Sequence, residues 1–367
     1  MIFVDDSKIV EENLEDVSSE VTVVEGEFED EVIKEQEETF KQMSPIRLIF
    51  RRFFRSKLSI VGLVLIVVLF LFSFVGPLFS PYGQADQDLS TVYIETTQAI
   101  DIDVTDKDGN VLYTYTIYET ITTRQDMNIL ADPSSKHWLG TDAQSYDVLT
   151  RLMYGGRISL TIGFVVVILE TIIGVLLGGL AGYFGGWVDG LIMRIVDIFN
   201  CIPTLPILLI ASMVIDAWKL TDSVKIYFIM IIITIFSWSG TARLVRGQIL
   251  YLREQEYITA TEVMGLPTWR RIFKHLIPNV MPQLIVSMTL GLGSVILYES
   301  TLSYLGLGVS GDTASWGTMI STCKERLMLM YHVNVWLPAG LMIVLAVLGF
   351  NFIGDGLRDA MDPKSKK

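Results

Sequence analysis

The sequence predicts an all-α polytopic membrane protein with six transmembrane helices and a small extracellular β-hairpin. Hydrophobic residues make up 51% of the chain, and the mean hydropathy is +0.46. Six apolar runs approach the roughly 20 residues that a helix needs to cross the hydrocarbon core. The negative charge is concentrated in residues 1–44, which hold 15 Asp and Glu against 3 Lys. A single soluble domain seldom combines these three properties.

The acidic segment at residues 1–44 is dense in Glu and poor in aromatic residues. Such a composition buries too little apolar surface to offset the entropy of folding. The formal net charge of the whole chain is −13, so this segment carries nearly all of it. We therefore predict a mostly disordered tail.

The apolar runs set the number of predicted spans, and the basic residues set their orientation. Arg and Lys cluster before the first run, and neither residue occurs after it until Lys107. Because cytoplasmic loops carry the excess of basic residues, we predict that both termini are cytoplasmic and that residues 80–157 are extracellular. The predicted spans are residues 58–79, 158–184, 195–215, 226–245, 280–298 and 335–353.

The extracellular segment contains a hairpin signal. The runs AIDIDVT and VLYTYTIY alternate in polarity on either side of Asp108-Gly109, a dipeptide typical of tight hairpin turns. We predict a β-hairpin near residues 99–118. A calcium-binding EF-hand loop starting at Asp106 is excluded, because its glycine position is Val111 and its closing glutamate position is Ile117. The three histidines are scattered, and we predict no metal site.

Two features inside the predicted spans point to more than lipid contact. Glu170 lies deep in an uncharged run, where a carboxylate must face the bundle interior or water. It serves either proton coupling or polar packing between helices. Pro203 and Pro206 predict a kink or a broken start in the third span, which either lines a pathway or is a simple bend. Gly174, Gly178, Gly179 and Gly182 predict close approach of a neighbouring helix.

Residues 256–278, EYITATEVMGLPTWRRIFKHLIP, form a charged segment between the fourth and fifth spans. Gly265 and Pro267 divide it into two short predicted helices. The second helix has a basic face and an apolar face, and we expect Trp269 and Phe273 on the apolar face to hold it against the bundle. The pair either lies on anionic lipid or presents a shaped face to a cytoplasmic protein.

The chain offers no site for ATP. The dipeptide Gly-Lys occurs nowhere, so the phosphate-binding pattern GxxxxGK[ST] is missing. We predict no catalytic residue and no cofactor bound by this chain.

The segment at 256–278 resembles the EAA loop of ABC importer permeases, in which Glu-Ala-Ala is followed at fixed spacing by a glycine and by Ile-x-Leu-Pro. Thr259, Ala260 and Thr261 stand at the first three positions, Gly265 at the glycine and Pro278 at the end. The resemblance implies that this segment couples the permease to an ATPase. The residues it assigns to coupling are Glu256, Thr259, Ala260, Thr261, Gly265, Trp269 and Pro278.

Further stretches resemble the dipeptide and oligopeptide group of these permeases, the OppC/DppC type. They include HWLGTD, RLMYGGRISLTIG, GYFGGWVDGLIMRIVDI, LSYLGLGV, SWGTMI and GDGLRDAMDP. The resemblance implies a type I ABC importer permease fold in the cell membrane and three kinds of partner. These are a homologous permease subunit, two cytoplasmic ABC ATPases that bind ATP and Mg, and an extracellular peptide-binding protein. The hairpin insertion, the acidic tail and Gln-Ser-Tyr-Asp at 144–147 depart from the group's pattern.

These observations give a predicted organisation and three functional alternatives. The function implied by the resemblance is ATP-driven import of oligopeptides or dipeptides. A permease for nickel or another small solute, a proton-coupled secondary transporter and a membrane scaffold remain open. The predicted regions are an acidic cytoplasmic tail at 1–44, an amphipathic entry and first span at 45–79, an extracellular loop at 80–157, a five-helix core at 158–357 and a cytoplasmic end at 358–367.

Overall fold

The structure is a computed structural model that describes residues 45–105, 111–306, 308 and 313–361. The predictions for the acidic tail and for the Asp108-Gly109 turn lie outside the described residues. The chain divides into two units, residues 1–57 with 359–367 and residues 58–358. In the first unit, helix α1 (Pro45–Arg55) is rich in arginine and amphipathic. The remaining elements lie in the second unit, apart from the ends of α2 and α12.

The second unit is helical except for one pair of strands. Its elements are α2 (Lys57–Phe70), β1 (Val92–Thr105), β2 (Val111–Gln125), α3 (Val148–Phe184), α4 (Gly186–Cys201), α5 (Thr204–Ala217), α6 (Asp222–Arg253), α7 (Glu256–Val263), α8 (Thr268–Arg270), α9 (Ile277–Tyr304), α10 (Trp316–Ser321), α11 (Arg326–Tyr331) and α12 (Val333–Met361). A π-helical turn (Leu71–Val75) and a 3₁₀ turn (Gly76–Leu78) extend α2, and a second π-helical turn (Arg271–Leu276) joins α8 to α9.

Among the described residues, five helical segments are long and apolar enough to cross a membrane. They are Lys57–Leu78, Val148–Phe184, Val224–Arg253, Thr268–Tyr304 and Val333–Met361. The third predicted span is two helices, α4 and α5, that bend by 80° at a short break, and it makes a sixth span if the pair is taken as one. Several helices extend beyond the predicted spans. Helix α3 begins at Val148, where the Asp147 carboxylate accepts a hydrogen bond from the Thr150 N–H at 2.8 Å.

Strands β1 and β2 pair antiparallel, from Val92 opposite Gln125 to Thr105 opposite Val111. The paired strands are longer than the predicted hairpin near 99–118. Thr114 and Thr116 donate hydrogen bonds across the pair to Asp103 and Asp101 at 2.5 and 2.7 Å. These aspartates therefore bond to the neighbouring strand.

The main hydrophobic core lies where α2, α3, α5, α6, α9, α10 and α12 meet. Trp316 at the start of α10 is fully buried, and its indole N–H donates to the Leu152 carbonyl at 3.0 Å. A large aromatic side chain whose polar edge is satisfied fixes a short helix firmly. Helix α10 is thereby packed against the N-terminal end of α3.

Helices α3 and α6 pack with their backbones in close contact, as the glycine spacing predicts. A Cβ atom at Gly174 would stand 2.7 Å from the Thr241 Cβ, and one at Gly182 would stand 2.9 Å from the Arg246 carbonyl oxygen. One at Gly178 would meet the Ala242 backbone. Gly179 is different, because a Cβ there would make an ordinary contact of 3.7 Å with Ile249. Three of the four predicted packing glycines are therefore sterically required.

Candidate coupling segment and membrane cavity

Helix α7 ends in a glycine cap that sets the direction of the following chain. Gly265 has φ +71, in the left-handed region that glycine adopts easily. The Gly265 N–H bonds to the Glu262 carbonyl at 2.9 Å, and the Leu266 N–H bonds to the Thr261 carbonyl at 3.1 Å. These two bonds are those of the Schellman motif, which satisfies carbonyls left open at a helix end. The predicted bend at Gly265 is therefore a hydrogen-bonded cap.

The two-helix segment is attached to the bundle through a small apolar cluster. Ile258 of α7 joins Ile272 and Leu276 of the π-helical turn in a cluster with residues of α6 and α9. Ile258 is 3% exposed and Leu276 is 0% exposed, so both ends of the segment are anchored.

The prediction that Trp269 and Phe273 hold the second helix against the bundle is wrong for this chain. Their side chains are 65% and 51% exposed, and they lie against each other with ring centroids 6.3 Å apart. The buried stripe of α9, with Val280 and Leu284, continues back at four-residue spacing through Leu276 and Ile272 of the π-helical turn. Because α8 is continuous with α9, this stripe decides which face is buried, and the aromatic pair falls on the outer side.

The second short helix also does not end at Pro278. Pro278 is the second residue of α9, and the helical segment runs without interruption from Thr268 to Tyr304. A proline ring normally clashes with the preceding helical turn. Here the preceding turn is the wider π-helical one, and the Asn279 side chain donates to the His275 carbonyl at 2.6 Å. The His275 carbonyl, one turn before the proline, thereby has a hydrogen-bond donor.

The outer face of α7 is exposed. Thr261 is buried, and its hydroxyl donates to the Ile258 carbonyl at 2.6 Å. Glu262 pairs with Arg271 at 3.1 Å, and the Arg271 guanidinium lies 5.6 Å from the Tyr183 ring centroid. This pair links the end of α7 to the second helix. The exposed residues of the segment are Glu256, Tyr257, Thr259, Ala260, Glu262, Val263, Met264, Gly265, Pro267, Trp269, Arg270, Phe273, Lys274 and Pro278.

Glu170 lies in the middle of α3, beside a cavity of about 280 Å³. Its side chain is 8% exposed and hydrogen-bonds with Ser237 of α6. The cavity is lined by residues of α3, α4, α5, α6 and α9, and Glu170 is the one carboxylate among the described lining residues. The sequence prediction that Glu170 faces the bundle interior agrees with this position.

The break between α4 and α5 forms one wall of this cavity. Pro203 lies in the break and Pro206 is the third residue of α5, where its missing N–H has no helical partner to lose. Both prolines are exposed, and neither lines the cavity. The lining residues are their neighbours Asn200 and Thr204. The prolines therefore shape the wall by ending and restarting the helix.

Two charged pairs join α4 to α6. Arg246 binds both carboxylate oxygens of Asp189 in the first turn of α4, at 3.0 and 2.5 Å. Arg243 pairs with Asp197 at 2.8 Å. The bidentate Arg246–Asp189 pair is geometrically specific, so it orients α4 relative to α6.

A second carboxylate, Glu299, was missed in the sequence because the predicted fifth span ends at Tyr298. It is 3% exposed. Ser159 and Ser303 donate hydrogen bonds to it at 3.0 and 2.9 Å, and Ser300 lies at 3.5 Å. A signal was present, because three serines occur close to Glu299 in the run ESTLS and the motif SWGTMI that follows.

The loop before α3 is organised by a buried histidine between two carboxylates. His137 is 2% exposed, and its ring nitrogens lie 2.9 Å from Asp147 and 3.1 Å from Asp88. Burial raises the pKa of Asp88, but hydrogen bonds from Asn128, Lys136, Ser90 and His137 outweigh it and hold that pKa well below its usual range. This network ties the loop to the start of α3.

A bundle of membrane-length helices with an exposed two-helix segment is the architecture of an integral membrane permease. Residues 174–367 match the family described as binding-protein-dependent transport system inner membrane component. Residues 44–94 match the N-terminal TM domain of oligopeptide transport permease C. The chain belongs to this family of inner membrane transport components.

Individual relatives narrow the comparison. The chain is 37% identical over 316 residues to the oligopeptide transport system permease protein OppC of Bacillus subtilis (strain 168), covering 86% of this chain and 88% of that protein. It is 36% identical to the dipeptide transport system permease protein DppC of Alkalihalophilus pseudofirmus, covering 90% of this chain and 93% of that protein. Among solved structures, the inward-facing MetNI methionine ABC transporter matches at 22% identity and a TM-score of 0.43, covering 57% of this chain and 96% of that chain.

Proposed function

We propose that this chain is a permease subunit of an ATP-driven importer that moves oligopeptides or dipeptides delivered by an external binding protein. The observation that carries the proposal is the match to OppC and DppC over most of both chains. The subunit pairs with a homologous permease and with two cytoplasmic ATPases, which bind ATP and Mg and perform the hydrolysis. This chain supplies half of the membrane pathway and the surface on which one ATPase acts.

The orientation follows from the basic residues. The arginines of α1 and those around the segment at 256–278 mark the cytoplasmic side, while β1 and β2 lie outside. Both termini are then cytoplasmic.

The exposed face of α7 is the surface that enters a groove on the ATPase. Tyr257, Val263 and Met264 are 46%, 84% and 69% exposed, and a group of exposed apolar side chains on a segment outside the membrane is typical of a contact with another protein. The cap at Gly265 fixes the angle between α7 and the second helix. Because Ile258 and Leu276 anchor both helices to the same cluster, a push on α7 reaches α9.

Substitution at Gly265 tests the coupling role. A Cβ at this position would meet nothing within 4 Å, so a substitution is strained only by the positive φ. Valine in the left-handed region costs about 1–2 kcal/mol, whereas asparagine tolerates it. We expect Gly265→Val to assemble normally but to lower peptide uptake and the substrate-stimulated ATPase rate, and Gly265→Asn to resemble the unaltered chain. Normal transport by Gly265→Val in proteoliposomes would contradict the role and favour a segment that only contacts lipid.

The paired strands β1 and β2 seat or guide the external binding protein. Their exposed aromatic side chains, Tyr93, Tyr113, Tyr115 and Tyr118, offer a surface of the kind that interfaces favour. Deleting residues 98–119 and closing the gap with Asn-Gly leaves Thr97 opposite Thr120 as the last paired position. We expect reduced uptake in a complex that still assembles. Unchanged uptake would make the strands a tolerated insertion.

A proton-coupled transporter is the competing mechanism, and Glu170 discriminates between them. Glu170→Gln keeps hydrogen-bonding capacity and removes the ionisable group. If ATP drives transport, the uptake that remains in a complex carrying Glu170→Gln still requires ATP and keeps a similar pH dependence. Uptake that a proton gradient drives without ATP, and that Glu170→Gln abolishes, would favour proton coupling.

A further inference from the structure

The cavity beside Glu170 opens on a face of the bundle that lipid covers poorly. Among its lining residues, Asn200, Gly240, Ser294 and Tyr298 are exposed in the free chain. Gly240, Ser294 and Tyr298 belong to the membrane-length segments of α6 and α9. Polar groups and helix breaks at this depth are tolerated where they face protein or a water-filled space. This face therefore borders the pathway and the second permease.

The interior of the cavity is rich in hydrogen-bond acceptors. The Asn200 amide nitrogen donates to the Val196 carbonyl at 2.8 Å, and its oxygen accepts from Ser239 at 3.2 Å. The Ser294 hydroxyl donates to the Leu290 carbonyl at 3.5 Å. Because these two protons point back to the protein, the remaining oxygen lone pairs of Asn200 and Ser294 and the Glu170 carboxylate can accept from a ligand, and the second Asn200 amide proton remains as a donor. No Lys or Arg occurs among the described lining residues.

We propose that this cavity binds the amino-terminal ammonium group of a peptide in transit, with Glu170 as its counter-ion. The inference rests on the proposed function and names the part of the substrate that this site takes. An ammonium group has three donors and no acceptor, which matches a carboxylate surrounded by hydroxyl oxygens. A volume of about 280 Å³ is at the lower end for ligand sites, so it suits one end of a peptide.

Reaction of a cysteine at the cavity mouth tests the charge preference. Ser294→Cys is made in a chain in which Cys201 and Cys323 are serine, and the complex with its permease and ATPase partners is assembled. Trimethylammonium-ethyl and sulfonatoethyl methanethiosulfonate are compared with their reaction at a free thiol. We expect the cationic reagent to be favoured by roughly tenfold beyond the free-thiol ratio, because an unscreened carboxylate attracts it and repels the anion.

Glu170→Gln should return that ratio to the free-thiol value. Glu254→Gln, which removes the same charge from an exposed position at the end of α6, should leave it unchanged. An unchanged ratio in Glu170→Gln, or a Ser294→Cys thiol that neither reagent reaches, would overturn the proposal.

Protection by peptides tests the ligand. Tri-alanine at millimolar concentration should slow the labelling of Ser294→Cys, while N-acetyl-tri-alanine at the same concentration should not. Equal protection by both peptides, or protection by neither, would overturn the assignment to the amino terminus. Uptake of tri-alanine by the complete importer is measured in parallel. If the importer takes up tri-alanine, a negative labelling result refutes only the assignment of the cavity to the amino terminus. If the importer does not take up tri-alanine, the proposed function fails.

Discussion

Two neighbouring glycines of α3 should respond in opposite directions to the same substitution. Gly178 and Gly179 are both buried in α3, and alanine adds one methyl group at each. At Gly178 the new Cβ would lie 3.0 Å from the Ala242 Cα and carbonyl carbon and closer still to its oxygen. At Gly179 it would lie 3.7 Å from the end of the Ile249 side chain. The first contact is with backbone, which cannot rotate away.

Two contributions set the change in the free energy of unfolding that each substitution causes. Replacing a helical glycine by alanine stabilises by up to about 1 kcal/mol, and this gain is shared by both positions. Overpacking a tight interface costs typically 1–3 kcal/mol. The difference between Gly178→Ala and Gly179→Ala therefore reports the steric cost alone. We expect Gly178→Ala to be less stable than Gly179→Ala by about 1–3 kcal/mol.

The free energy of unfolding in mixed detergent micelles, measured by SDS titration, checks this difference. Gly247→Ala on α6 provides a second control, since a Cβ there would meet nothing within 4 Å. Gly179→Ala and Gly247→Ala should be as stable as the parent chain or more so. Equal effects at Gly178 and Gly179 would refute the backbone contact between α3 and α6.

Three further predictions address orientation, the loop before α3 and the buried carboxylates. In a chain in which Cys201 and Cys323 are serine, Tyr118→Cys should react with an impermeant thiol reagent from outside and Lys274→Cys from inside; labelling of both from one side would contradict the topology. Because the pKa of Asp88 is lowered in the folded state, its stabilising effect is complete above its usual value near 4 and is lost as the pH falls below it. Asp88→Asn should make the loop before α3 more sensitive to protease at neutral pH. If the protease sensitivity of that loop at acid pH is the same with and without Asp88→Asn, the hydrogen-bond network around His137 does not hold the loop. Glu299→Ala leaves the Ser159 and Ser303 hydroxyls without their acceptor, so the free energy of unfolding should fall by about 2–4 kcal/mol. Glu170→Gln should lower the free energy of unfolding by less than about 1 kcal/mol. Equal losses in the two variants would show that both carboxylates are structural.

Features that depend on local sequence were predictable. The spacing of Gly174, Gly178 and Gly182 indicates close helix approach because residues three and four apart share a helix face. Gly265 indicates a bend because few other residues adopt positive φ there. The apolar runs give five or six candidate spans. In each case a backbone constraint acts within one or two helical turns, so the pattern carries the information.

Features that depend on how helices continue and pack were not predictable. The apolar pattern of residues 266–276 alone suggests one buried face of Leu266, Trp269, Phe273 and Leu276. Continuity with α9 buries Ile272 together with Leu276 and leaves Trp269 and Phe273 exposed. Glu299 is similar, since it follows a run that ends at Tyr298, and its serine partner Ser159 is 140 residues away. Such contacts are fixed by tertiary structure.

The buried carboxylates Glu299 and Glu170 differ in their surroundings, and this difference separates a structural role from a ligand-binding role. Glu299 accepts hydrogen bonds from serines on α3 and α9, and these bonds offset much of the cost of burying it. Glu170 hydrogen-bonds with Ser237 and otherwise faces a cavity, so its burial is compensated less by the chain itself. A bundle selected for stability alone would gain by replacing Glu170 with an apolar residue of similar volume. The proposed binding of a peptide ammonium group in this cavity would supply the compensation that the chain itself gives to Glu299 but not to Glu170.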